Sequence, residues 1–300
     1  MLVLSPCFTR WTALSCAALP MLAAASPAHM RQQVDAEIDH LHQHVAHAPA
    51  VDLAALNGLP APVRRYLAYT GADRAPLARL ARYRFTGEVR IPLTGDRSRV
   101  ATATPWLPAQ GQQVMALSSH GLGYVWDSRW QSPGGHIDVR DAYLDGQTHI
   151  WAIRADGRVM MDERDPAIDQ TYMVRFFAEA TQSPTMLMPS RWLRWEPVSD
   201  SRARAVLQHG SARASMECHF EPGGALTRCE SDDRLLRYSG EVPERWIGAR
   251  WIMTRTDYQD MGGLRLPTRM AVHWRLGESE FEQVRARIES VAFTPAVAPL

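Results

Sequence analysis

Two acids stand where the surrounding pattern calls for apolar side chains. In HIDVRDAY, Asp141 falls in phase with Ile137, Val139 and Tyr143, the apolar face of a period-two strand. A carboxylate buried there alone would cost several kcal/mol or take up a proton. It must be paired, or line a wet cavity. Glu179 ends a helical pattern, where the helix dipole disfavours an anion by ~0.3–1 kcal/mol. It borders the apolar stripe of that helix, with Arg175 one turn earlier. Arg before Glu is the weaker order for such a pair, so this acid looks to another element. Arg175 between the two carboxylates would form an ion network that ties helix to sheet. Two carboxylates free of a cation would instead form an acid–base pair of hydrolase type. The network is the expected use and the hydrolase the alternative.

Other side chains offer less. His29, His40, His42, His44 and His47 crowd residues 29–50. On a helix His40, His44 and His47 would share a face, as metal ligands can. No carboxylate–histidine motif accompanies them, so a solvated lead-in without metal is expected. Cys218 and Cys229 flank a hairpin turn at Pro222-Gly223-Gly224. A four-residue loop would make them diagonal neighbours, which leaves a disulfide open in either direction. A Walker loop, a dinucleotide fingerprint, a G-x-S-x-G elbow and a C-x-x-C pair are all missing, and no cofactor is expected.

The elements that position these residues are legible. Asp165-Pro166 reads as an N-cap followed by proline at the first helical position. Met173, Phe176, Phe177 and Ala180 then recur at helical spacing, and Pro184 stops the helix. A shorter helix is expected within 51–71, carrying Val63, Tyr66 and Leu67 and ending at Gly71. From Leu80 the period changes to two. Strands are expected from Leu80 to Ile91, near 97–104, 112–118, 122–128, 136–143 and 147–154, and again over 212–220, 250–258, 264–276 and 284–293. Many hairpin-spaced strands with few helices predict an α+β fold. Its plan is a large curved antiparallel sheet, a half-open barrel, with the 166–183 helix on its concave face and a short N-terminal helix. Trp126, Asp127, Tyr143, Arg175, Phe176 and Trp192 are the expected lining of an apolar site. Met186 and Met188 are its expected adaptable lid.

Composition bounds the partners. The 300 residues are 46% hydrophobic and 22% charged, with a formal charge of +1. That is globular, with no basic excess for nucleic acid. Residues 1–28 read as a signal peptide: Arg10, an apolar run from Trp11 to Ala25, then Ser26-Pro27-Ala28. The expected organisation is that leader, the histidine-rich 29–50 and one β-rich domain over 51–300. A periplasmic or secreted location follows, with an uncleaved N-terminal anchor as the alternative. A lipid or apolar small molecule and a membrane surface are the expected partners.

GLPAPVRRYL, YVWDSRW, VRDAYLDG, RFFAEATQSPTMLMPSRWLRWEP and DYQDMGGLRLPTRMAVHW occur in this order and together resemble a bacterial family catalogued as a domain of unknown function. The resemblance spans roughly Val51 to Phe293 and implies an envelope-associated protein without an assigned activity. Family members carry an aromatic at the position of Gln182, and Ala and Leu at those of Met186 and Met188. The sheet-and-helix plan also resembles the half-barrels of periplasmic lipoprotein carriers. A ligand-binding envelope protein is therefore the leading expectation, ahead of a hydrolase using Asp141 and Glu179 and of a ligand-free structural protein.

Overall fold

The computed structural model describes residues 26–45, 53–91, 93–96, 99–101, 104–117, 121–237 and 246–295. Three α-helices, α1 (Pro27–Val45), α2 (Ala61–Thr70) and α3 (Asp169–Glu179), accompany two runs of strands. The first run is β1 (Ala78–Val89), β2 (Leu107–Leu117), β3 (Leu122–Ser132), β4 (Gly135–Leu144), β5 (Gln147–Arg154) and β6 (Val159–Glu163). The second is β7 (Leu193–Ser199), β8 (Arg202–His209), β9 (Ala212–Phe220), β10 (Leu226–Ser231), β11 (Arg250–Met261), β12 (Leu264–Leu276) and β13 (Ser279–Pro295).

Within each run every strand pairs with its chain neighbour, mostly across a short turn. Asp145-Gly146 joins β4 to β5 with both residues at positive φ, as a tight hairpin turn demands. The result is one 13-stranded antiparallel sheet in the order β6-β5-β4-β3-β2-β1-β13-β12-β11-β10-β9-β8-β7. First and last strands meet in the middle, with Tyr83 opposite Val291. The two edges, β6 and β7, are consecutive in sequence. The chain must cross from one edge to the other, and α3 is that crossing, laid on the concave face of the half-barrel.

Asp165 accepts from the Ala167 amide at 3.0 Å, and Pro166 opens a 3₁₀ turn that runs into α3. The apolar stripe expected on one side is too narrow a description: every residue from Thr171 to Glu179 is buried. The curved sheet wraps the helix, so its flanks are covered as well. Arg255 of β11 closes the far end, its Nε 2.7 Å from Thr181 Oγ1 and a terminal nitrogen 3.0 Å from the Ala178 carbonyl. A cation suits a helix C-terminus. The helix expected within 51–71 is a 3₁₀ turn (Leu53–Gly58) followed by α2, which ends at Gly71 in the left-handed conformation.

The opposite face overturns an expectation. Residues 27–45 are not a solvated lead-in but α1, packed on the convex side. Met30, Val34, Ile38, Leu41 and Val45 cover Val114, Val125, Ala142, Trp151 and Ile153. Histidines interleaved with this i, i+4 stripe masked it, and His29 itself meets the Trp151 ring with centroids 5.6 Å apart. Glu37 binds Arg140 of β4 through two hydrogen bonds, and both are buried. His40 pairs with Asp145 at 3.2 Å, and its ring lies 4.3 Å from that of His44. His47 and the leader up to residue 25 lie outside the described residues. Among the described residues no helix is long and apolar enough to cross a membrane. Of the strand expected near 97–104, Arg99–Ala101 pairs with Leu93–Asp96 in a small separate hairpin.

Beside that ion pair lies a pH-sensitive group. Burial, then the Arg140 charge, pushes His149 down to about 4, against a hydrogen bond from its Nε2 to Asp162 Oδ1 at 2.8 Å. Its folded pKa lies below the unfolded 6.5, so the unfolded chain binds the proton more readily. Stability from this group is complete above pH 6.5 and is lost as pH falls towards 4. At about 1.4 kcal/mol per pH unit the loss is on the order of 3 kcal/mol. Urea melts at pH 7 and pH 4 are expected to cost the parent that much more than His149→Phe. Equal losses in the two proteins would exclude His149 as the source.

Cys218 and Cys229 are both inside, and here the register corrects the diagonal expectation. A bulge between His219 and Phe220 sets them directly opposite, Sγ to Sγ 2.6 Å, as free thiols. Burial pushes the Cys218 thiol up, which withholds the reactive thiolate.

Candidate functional site

The concave face encloses a chamber of about 360 Å³ between the sheet, α3 and the small hairpin Leu235–Arg237/Trp246–Gly248. That volume falls in the roughly 300–1,000 Å³ range of small-molecule sites. Its walls come from both strand runs: Phe85, Trp126, Trp130, Val139 and Ile150 from one, Trp251, Met270, Val272 and Trp274 from the other. Phe85 and Trp126 stack at 5.4 Å, nearly parallel. At the mouth stand Ile91 and Met160, each 46% exposed.

The polar floor is built on α3. Arg175 donates from one terminal nitrogen to Asp141 Oδ2 and from Nε to Glu179 Oε1 at 2.8 Å. All three residues are buried and line the chamber. The guanidinium also lies 5.0 Å from the Trp126 ring and 5.2 Å from Tyr124, within cation–π range. Burial would lower the Arg175 pKa, yet Glu179, Tyr124 and Asp141 together hold it well above the ordinary value. The second Glu179 oxygen has no hydrogen-bond partner. The structure therefore brings Asp141, Arg175 and Glu179 together as the residue pattern anticipates.

A second arginine is less obvious in the sequence. Arg234 precedes the small hairpin and lines the same chamber, 8% exposed. Its guanidinium sits 5.0 Å from Tyr172, 4.9 Å from Trp251 and 5.6 Å from Trp274. One terminal nitrogen donates to the Thr171 carbonyl at 3.2 Å. In the run SDDRLLR it looks like part of a charged turn; the signal was Leu235-Leu236 just after it, an apolar pair that drags the turn inward. Arg237 at the rim pairs with Glu163 at 3.4 Å.

Several expected lining residues sit elsewhere. Asp127 follows Trp126 by one residue and so points to the convex side, where Arg31 of α1 holds it at 2.7 Å. Tyr143 is in phase with Asp141 but lies two positions nearer the far end of β4, its hydroxyl 2.8 Å from His209 Nδ1. Phe176 is fully buried in the core. Met186 and Leu187 form part of a 3₁₀ turn and are sealed inside, so they do not cover the chamber as a lid. Met188 and Trp192 line a separate space of about 180 Å³ bordered by Arg79 and Arg191. The elements over the main chamber are α3 and the small hairpin. Elsewhere Glu217, His219 and Glu230 converge closely enough to share a cation. Arg202 and Arg228 already engage the two carboxylates, which marks a salt-bridge cluster.

Fold and site together define an antiparallel half-barrel with a ligand-sized, aromatic-walled interior. Over residues 49–286 the chain matches the family of unknown function DUF6544, and it belongs to that family. Among solved structures it is similar to the beta-barrel-like protein of domain of unknown function DUF1849 from Brucella abortus. That match has 7% identity and a TM-score of 0.26, covering 73% of this chain and 100% of the other, too loose to carry an argument. No curated protein matches the chain.

Proposed function

We propose that this chain is a binding protein of the cell envelope whose half-barrel holds an apolar or amphipathic, lipid-like molecule. The 360 Å³ chamber carries the reading. A sheet folded for stability alone is filled by side chains to crystal-like density; this one keeps room between Trp, Met and Val walls. Exposed Ile91 and Met160 at the mouth give an apolar route in. Arg175 occupies both carboxylates, which supports binding over the hydrolase alternative, since proton transfer needs a carboxylate directed at reacting atoms. The envelope location rests on the leader-like residues 1–28. Met1 retained on the protein recovered from cells would remove the cleaved leader and leave the anchored alternative.

The neutral dye N-phenylnaphthylamine tests the chamber. Its fluorescence is expected to rise saturably with the protein, at one site per chain, and to fall when decanol competes. No rise, or a rise without saturation, would overturn the reading.

A further inference from the structure

We propose that the molecule held in the chamber carries an anionic head group, a carboxylate or phosphate, received by Arg234, with its apolar tail along the tryptophan walls. This inference rests on the reading of the chamber as a binding site.

The argument is one of unfilled capacity. A guanidinium presents five N–H donors and is not deprotonated in proteins. Buried arginines are as a rule paired. Among the described residues of the chamber, Arg175 has two carboxylates and Arg237 has Glu163. Arg234 has none within ion-pair distance. Its partners are the Thr171 carbonyl, the Tyr172 hydroxyl and three aromatic faces, and its Nε is buried without an acceptor. Aromatic faces stabilise a cation but accept no full complement of N–H bonds. Among the described residues no acceptor reaches that Nε, and the open volume beside Arg234 is where one can sit.

The neighbouring acids do not already fill this role. Asp141 and Glu179 carry one more negative charge than Arg175 cancels, yet both bond to Arg175. Burial dominates at Arg234 and lowers its pKa, and the guanidinium lacks a direct ionic partner among the described residues. An anion bonded to the guanidinium supplies one. An amphiphile then binds in one orientation, with its head between Tyr172 and Trp251 and its tail towards Ile91 and Met160.

The test is displacement of N-phenylnaphthylamine by decanoate, decanol, decyltrimethylammonium and acetate. Decanoate is expected to displace the dye at a concentration about ten-fold or more below decanol, as a charge-assisted hydrogen bond to a buried guanidinium implies. Decyltrimethylammonium should be weakest of the tailed probes. Acetate, a head group without a tail, should not displace the dye where decanoate saturates. In Arg234→Met the decanoate-to-decanol ratio should collapse towards one, and Arg234→Lys should restore part of it. Equal displacement by decanoate and decanol in the parent would overturn the inference and leave the chamber reading intact. So would a cation that outcompetes decanoate, or an unchanged ratio in Arg234→Met. A parent that takes up no dye would fail both readings together. The parent's ranking of head groups needs no variant, so a poorly folding Arg234→Met leaves the inference exposed to refutation.

Discussion

Arg175→Ala is expected to lower stability by about 3–5 kcal/mol, the range for removing one partner of a buried ion pair. The variant would leave Asp141 and Glu179 buried near each other with no cation between them. It would also remove the contact of the guanidinium with the Tyr124 and Trp126 rings. Asp141→Asn should cost less, because the amide oxygen still accepts from the guanidinium while Glu179 retains its pair. Arg175→Lys should fall between them, since an ammonium cannot span both carboxylates with a planar fork. Urea melts rank the three. A melt of Arg175→Ala that superimposes on the parent would dissolve the network and return both carboxylates to acid–base chemistry as free inward acids.

That network was legible in the sequence because each member broke a local rule. Asp141 interrupts an apolar face, and Glu179 sits at the wrong end of a helix behind an arginine in the weaker order. Such conflicts between local preference and burial mark long-range partners or sites. The curved sheet was legible for a different reason: a two-residue period repeated between turn signals leaves few alternatives to a meander. The chamber wall was less so. Period-two alternation assigns faces, and by it Asp127, one residue after Trp126, belongs on the face opposite that tryptophan, where Arg31 holds it. The alternation says nothing about position along the strand, which is why Tyr143 was credited to a site it does not reach; Phe176 misses the site because the sheet wraps α3 and buries that face in the core. For Arg234 the only local signal is the apolar pair Leu235-Leu236, because the approach of its hairpin to α3 is tertiary: Leu235 donates its amide to Thr171 Oγ1 at 3.1 Å, and no local pattern encodes that bond.

The second large effect lies at the other face of the sheet. Glu37→Ala is expected to cost about 3–5 kcal/mol, although Glu37 belongs to a segment that composition alone reads as a solvated lead-in. Glu37 receives Arg140 through two nitrogens and Gln33 Nε2 at 2.7 Å. Without it the guanidinium keeps one weak bond, from a terminal nitrogen to the His149 carbonyl at 3.3 Å. Arg140 is 2% exposed, so its charge would stay desolvated beneath α1 or force the helix off the sheet. Lifting α1 would expose the apolar patch formed by Val114, Val125, Ala142 and Ile153, which makes escape costly as well. Glu37→Gln should lose less, because one acceptor oxygen remains. Pairing Glu37→Ala with Arg140→Met removes both charges and leaves apolar groups in their place. That double variant should recover most of the loss, since apolar replacement of a buried pair is often neutral or better. A truly solvated lead-in would give a change inside ~0.5 kcal/mol for Glu37→Ala, and that result would detach α1 from the folded domain.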